Sequence, residues 1–543
     1  RIVLNNDGGT LAGPQMEAPI GVDGLVKSTI GPLDGTHIDT LYWALGTDVG
    51  GGGIPTCRFS NVYSHDTKVG QRWGVDQEQF ESASNWRIYE NTRRLIEEGH
   101  DPPKVLIEAG REAGKEVFLS FRVNDCHDGL MPGGGGPRDS EADLPSPPWL
   151  NRMKREHPEW LLGPMEGIAF QMHRFAFDFS VPEVRAFKLR LIREVCDQYD
   201  PDGLDLDFVR HPRYFKPEEV QAHAPLMTDF IRRVRAILDH AGKKRGRRLP
   251  LSVRVLPSFD LNRSVGLDVR SWIEERLIDV LVCGSNVGCM QRLPVEQYVD
   301  ACRNTEIAVL AHIGIAPAWG MRRGLFQRGA SYHPSGGYHC FTDAMYRAMA
   351  AGYWRAGVDG IYLWNNHLIE YFHDPNWDRT PWREIGDPDR MARMDKHYLV
   401  DHDMASHPEL GRFARTVCPP AQLPAVLPDS GERKKIRFDI ADDLKGASDH
   451  ELLAGATLRL HISEMTGMDL LSVTLNGRAL DQSSAKAYVD WNEYWLDYDI
   501  AGIAEQGWND LEVGVKKRNP KISAALRLED VEVLVTYRKE ERS

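Results

Sequence analysis

Between residue 1 and about residue 400, short apolar runs alternate with longer amphipathic stretches, the order expected of parallel strands wrapped by helices. The pattern predicts eight strands, at residues 2–5, 38–43, 117–123, 203–208, 251–256, 279–283, 307–312 and 360–364. Eight such units over this length fit a (β/α)8 barrel with long insertions better than an open doubly wound sheet, which generally has fewer strands. Past residue 405 the period changes. Pro419, Pro420, Pro424 and Pro428 mark a linker over residues 406–430. Residues 431–543 then alternate apolar and polar positions in runs such as Leu458/Leu460/Ile462 and Val531/Val533/Val535, with Asn476-Gly477 as a tight turn. The expected fold class is α/β: a (β/α)8 TIM barrel over residues 1–405, followed by a C-terminal β-sandwich.

Two helices carry clear end signals. Ser180-Val181-Pro182-Glu183 reads as a capping box with proline in the first turn. Val184, Phe187, Leu191, Val195 and Tyr199 follow at spacings of three and four, which puts one apolar stripe against the sheet. A second helix is expected from Thr342 to Ala356, ending at Gly357. The dipeptide Asp-Gly followed by an alternating strand occurs at Asp202 and again at Asp359, each time between a helix and a strand, which marks repeated βα units rather than a solenoid. Two long insertions follow early strands, residues 44–73 with Gly50–Gly53 and residues 124–180 with Gly133–Gly136. In a barrel such loops lie at the C-terminal rim. Neither glycine run is followed by the Gly-Lys-Ser/Thr of a phosphate loop.

Composition narrows the function classes. The 543 residues are 42% hydrophobic and 27% charged, ordinary values for a folded protein. The formal charge of −13 argues against a nucleic-acid partner. No apolar run has the length of a membrane helix, so no membrane span is expected. The chain opens at Arg1 and passes at once into an apolar strand, from which a trimmed, secreted or periplasmic form is expected. The eight cysteines contain no Cys-x-x-Cys pair, and buried free thiols are the expected state.

Side-chain direction locates the chemistry. In the fourth strand Leu204, Leu206 and Phe208 alternate with Asp205 and Asp207, so a period of two sends the apolar residues to the helices and the aspartates into the barrel. The same rule turns Ser120, Arg122 and Asn124 of the third strand inward, with Ser252 and Arg254 of the fifth. Buried charges require opposite partners. Asp205, one layer deeper, is expected to pair with Arg122 or Arg254, leaving Asp207 at the rim as nucleophile or general acid/base. The exit of the third strand, Arg122-Val123-Asn124-Asp125-Cys126-His127-Asp128, offers Asp125 as a second carboxylate. No His-x-His or His-Glu-x-x-His accompanies it, so neither a metal nor a cofactor is expected. Arg210 and His211 after the fourth strand, His312 after the seventh, and Trp364, Asn365 and Glu370 after the eighth complete a mouth rich in Arg, His, Asn and aromatics. Such groups bind the hydroxyls and ring faces of sugars, and the arginines add affinity for carboxylate or sulfate substituents.

The segment Phe177-Asp178-Phe179-Ser180-Val181-Pro182-Glu183-Val184-Arg185, then Tyr199-Asp200-Pro201-Asp202-Gly203-Leu204-Asp205-Leu206-Asp207-Phe208 and Arg210-His211-Pro212, resembles the bacterial family-ten-like glycosyl hydrolases. His157-Pro158-Glu159-Trp160 and Trp272-Ile273-Glu274-Glu275 are similar to further parts of that pattern, and the resemblance spans roughly residues 110 to 285. It implies a TIM-barrel carbohydrate-active enzyme with Asp207 at the family's strand-four aspartate. Asp205 and the sixth-strand exit, Cys283-Gly284-Ser285-Asn286, depart from it.

Together these readings give a glycoside hydrolase acting on an oligo- or polysaccharide, possibly anionic. Asp207 is the first catalytic candidate, with Asp125 and then Glu370 as its partner. Arg122, Asn124, His127, Asp205, Arg210, His211, Arg254, His312, Trp364 and Asn365 are the substrate-binding candidates. The alternatives are a non-catalytic glycan-binding protein and a metal-dependent hydrolase centred on Asp125, His127 and Asp128.

Overall fold

The computed structural model describes residues 1–12, 20–45, 71–72, 75–76, 83–126, 152–164, 171–285, 292–315, 340–372, 376–402, 417–490 and 493–538. Eight parallel strands close into a barrel: β1 (Ile2–Asn6), β2 (Thr40–Ala44), β3 (Glu116–Arg122), β4 (Gly203–Asp207), β5 (Leu251–Val255), β6 (Val280–Cys283), β7 (Ala308–Ile313) and β8 (Gly360–Trp364), with β8 pairing back on β1. Each falls within two residues of its expected position, because apolar runs buried on both faces are the plainest strand signal a sequence carries.

Two layers of core follow from the strand alternation. Outward residues such as Leu4, Leu119, Leu204, Leu206 and Val253 pack under the helices, while Val3, Tyr42, Phe118, Val280, Val282, Leu310 and Tyr362 fill the barrel. Gly203 makes room for this filling: a Cβ there would meet the Phe118 ring at 2.2 Å. Helix α1 (Pro182–Gln198) buries Val184, Phe187, Leu191 and Val195 as its stripe requires. Its start differs from the expected capping box, since Val181 is the N-cap residue and no side chain caps it. Arg185 instead donates to the carbonyls of Phe179 and Ser180, and Asp178 accepts from the Ser180 N–H. Helix α2 (Val220–Arg245) crosses α1, and helix α3 (Asp343–Ala356) starts at a Thr342 side-chain cap and ends at left-handed Gly357.

An aspartate precedes every even-numbered strand of the barrel, and each accepts an N–H from the first or second residue of the odd strand before it. Asp39 accepts from Ile2, Asp202 from Val117, Asp279 from Leu251 and Asp359 from Val309, at 2.8–2.9 Å. The N–H of the same aspartate returns a bond to the carbonyl of the same partner. The Asp202 and Asp359 phrases are thus two of four copies of one device, which satisfies the otherwise orphaned strand ends at the barrel floor.

The C-terminal part forms two antiparallel sheets around a second core. One runs β9 (Lys396–Leu399), β18 (Leu526–Tyr537), β12 (Leu453–Ser463), β16 (Glu493–Asp499) and β15 (Lys486–Asp490), with β10 (Ala425–Leu427) also on β18. The other runs β11 (Lys434–Ile440), β17 (Gly507–Lys517), β13 (Leu470–Leu475) and β14 (Arg478–Leu480). Strands β9 and β10 stand in stretches that the sequence reading places in the barrel segment and the linker, yet both pair with β18. Three and four residues are too short to show a period. Charged pairs join the two parts at Asp439 of β11, which accepts from Arg292 and Arg355 of the barrel; within the C-terminal part, buried Lys396 of β9 donates to Asp442 at 2.6 Å. Trp495 is buried on the His461 ring, whereas Trp508 is 47% exposed with Arg437 over its face.

Candidate functional site

The inward residues of β3, β4 and β5 lie side by side in register: Ser120, Asp205 and Ser252 in the lower layer, Arg122, Asp207 and Arg254 in the upper. The pairing differs from the sequence expectation. Among the described residues no arginine hydrogen-bonds Asp205; it accepts from the Ser120 hydroxyl at 2.6 Å and the Ser252 hydroxyl at 2.8 Å. Burial and then the Asp207 charge push its carboxyl up to about 7, against the smaller effect of these two bonds.

Asp207 is the residue that binds arginine. Arg254, fully buried, donates Nε to one oxygen at 2.9 Å and Nη2 to the other at 2.7 Å, a bidentate pair. The Val209 and Arg210 N–H groups add two bonds to Oδ1, and the carboxylate is 2% exposed. The Arg254 guanidinium lies beside the Tyr362 and Trp364 rings, 5.9 and 5.6 Å from their centroids, and its third arm donates to the Ser285 carbonyl. His312, buried beside the same rings, accepts from the Ser285 N–H. Burial and then the Arg254 charge hold it well below the ordinary histidine range, so it is neutral.

Arg122 reaches up from its strand to two carboxylates. Its Nη1 is 3.4 Å from Asp125 and its Nη2 is 3.4 Å from Asp7, so one guanidinium lies between two acids. Asp7, which follows β1, also accepts from the Asn365 amide at 2.7 Å and lies 3.4 Å from His367. Burial opposes its charge, but His367, Arg122 and the Gly9 N–H outweigh that and hold the carboxyl well below the usual carboxylate range. Its side chain, 12% exposed, is more open than that of Asp125, which is fully buried. Asp7 was not a candidate from sequence. The signal was the polar run Asn5-Asn6-Asp7-Gly8-Gly9 at the end of the first strand, a rim position in any barrel.

The remaining candidates divide. Asn365, in a left-handed conformation, and Trp364 belong to the cluster. Arg210 is buried just beyond Asp207. His211, also left-handed and buried, stands with its Nδ1 3.5 Å from Asp125. Asn124 is used internally: its amide donates to the Phe177 and Arg213 carbonyls and its oxygen accepts from the Phe177 N–H, which pins the insertion to the mouth. Glu370 pairs with Arg379 on the short helix after β8. His127 and Asp128 lie outside the described residues, as do Asn286 and both glycine runs. Six cysteines are described, all of them buried, and no disulfide joins any two of them.

No protein-family profile and no curated protein matches the chain. Among solved structures it is similar to an alpha-L-fucosidase isoenzyme from Paenibacillus thiaminolyticus, at 14% identity over 71% of this chain and 48% of that one, with a TM-score of 0.37. It is similar to the chitinase ChiW from a Paenibacillus species, at 10% identity, 98% and 54% coverage and a TM-score of 0.36. The glycoside hydrolase domain of PgaB from Bordetella bronchiseptica gives 10% identity, 71% and 97% coverage and a TM-score of 0.36. The chain spans about half the length of the fucosidase and the chitinase. Likenesses this distant leave the reading of the site to its own residues.

Proposed function

We propose that this protein is a glycoside hydrolase acting on an oligo- or polysaccharide at the C-terminal mouth of its barrel. The observation that carries the reading is the convergence of Asp7, Asp125 and Asp207 on two arginines, beside Trp364, Asn365 and His312. Hydrolysis of a glycosidic bond needs one carboxylate that stabilises or attacks the developing oxocarbenium and one that gives and takes a proton. Asp207, neutralised by Arg254 and fixed by two backbone N–H groups, suits the first role. Asp125 is the proposed proton carrier, with Asp7 across the Arg122 guanidinium beside it. Arg122, engaged at 3.4 Å rather than in a tight fork, keeps capacity for a uronate or sulfate on the sugar. Secretion or a periplasmic location accords with a polymeric substrate and belongs to the same proposal.

One observation favours a second reading. Both Asp207 oxygens are taken by Arg254, as they would be in a non-catalytic glycan-binding protein whose aspartate only neutralises a buried charge. The readings separate on one variant. A hydrolase loses cleavage and keeps binding in Asp207→Asn, whereas a binding protein cleaves no glycan of a broad neutral and anionic panel in either form.

A further inference from the structure

Beside the acidic cluster stands a group of a different kind. Cys126 at the exit of β3, His173 in the 3-10 turn Gln171–Phe175 of the insertion, and His211 in the loop after β4 bring one sulfur and two ring nitrogens within 4.8 Å of one another. All three residues are buried, and the two imidazoles meet edge to face with centroids 5.2 Å apart. It is the one group of three or more His, Cys, Asp or Glu within metal-binding reach among the described residues.

We propose that Cys126, His173 and His211 form a zinc site that fastens the insertion to the barrel mouth. One thiolate with two imidazoles is a donor set suited to zinc, whose tetrahedral shell holds its ligand atoms about 3.5 Å apart, so closure requires the three to draw in by about 1 Å. One feature beside the triad fits a cation. Asp125 Oδ1 lies 3.5 Å from His211 Nδ1, where a carboxylate behind a metal-bound histidine orients the ring and raises its basicity. Without metal, His211 Nδ1 accepts from the Cys126 N–H at 3.3 Å. On binding, the Cys126 proton leaves to solvent and the His211 proton passes from Nε2 to Nδ1, facing Asp125. The ligands come from three separate segments, so the ion would order the loop that carries Asp125 whatever reaction the mouth performs. The proposal therefore does not rest on the hydrolase reading.

The test uses the full chain stripped of metal with a chelator and titrated with Co²⁺, then Zn²⁺. The expected result is one Co²⁺ per chain with a thiolate-to-cobalt charge-transfer band, displaced by one equivalent of Zn²⁺. Cys126→Ser should lose that band, and His173→Gln should weaken Co²⁺ binding tenfold or more. If Cys126→Ser does not fold, the His173→Gln affinity supplies the comparison. Absence of the band from the wild-type chain overturns the proposal without any variant, as does a band that persists in Cys126→Ser or an affinity unchanged in His173→Gln.

Discussion

Asp205 and Asp207 are two residues apart on one strand and have different partners. Asp205, held by two serine hydroxyls, has its carboxyl raised on folding from the ordinary 3.8 to about 7. A carboxyl raised on folding favours the folded state most fully below pH 3.8, and that contribution is lost as the pH climbs to about 7. Asp205→Asn, neutral at every pH, should therefore melt higher than wild type at pH 8 and close to wild type at pH 4.5. Thermal unfolding at the two values checks this, and equal shifts at both would contradict it. Asp207 depends instead on its arginine. Arg254→Met removes the fork and strands a buried carboxylate, at a cost of about 3 to 5 kcal/mol, and adding Asp207→Asn should restore much of the loss in urea unfolding.

The inward direction of these residues was legible in the sequence because strand alternation leaves no freedom. Their pairing was not. Depth alone suggested that Asp205 would meet an arginine, whereas the strand register sets Asp205 against Ser120 and Ser252, and Asp207 against Arg122 and Arg254. Register depends on how neighbouring strands slide, which no single strand records. The Cys126, His173 and His211 group was hidden for a related reason, since its members come from three segments and match no local spacing motif.

At the scale of elements, four aspartates ahead of β2, β4, β6 and β8 each cap the strand before. Two were visible as the repeated Asp-Gly phrase; Asp39 and Asp279 lack the glycine and passed unnoticed. Replacing any one with alanine leaves a strand N–H without its charged acceptor, at a cost of about 1.5 to 3 kcal/mol. Chemical denaturation of Asp202→Ala and Asp359→Ala, on opposite sides of the barrel, should show such losses, additive in the double variant, with the activity of the folded fraction unchanged. Gly203→Ala tests the filling of the barrel. Its methyl would collide with Phe118, a strain of about 1 to 3 kcal/mol, and Phe118→Leu should relieve part of it; no loss in Gly203→Ala would mean that the two side chains do not meet there. Helix starts were less legible than strands, as α1 shows: sequence names a Ser/Glu cap, but Val181 is the N-cap residue and no side chain caps it.

Over the whole molecule, barrel and sandwich-like part share charged contacts at Asp439. Removing the Asp439 carboxylate takes away the acceptor that Arg292 and Arg355 share and leaves the Arg292 guanidinium with Glu296 alone of its two carboxylates. Calorimetry should show one unfolding transition for wild type and two for Asp439→Ala, while a single undiminished transition in the variant would mean that these pairs do not couple the parts. The mouth lies at the opposite end of the barrel strands from the aspartate caps, so the floor serves stability and the rim is left for chemistry. The most direct test of that chemistry is product release from a panel of neutral, uronic and sulfated polysaccharides by wild type and Asp207→Asn, with folding of both verified. Cleavage of at least one glycan by wild type, reduced at least a hundredfold in Asp207→Asn, is the expected result. Undiminished cleavage by the variant, or none by wild type on any glycan, would contradict it.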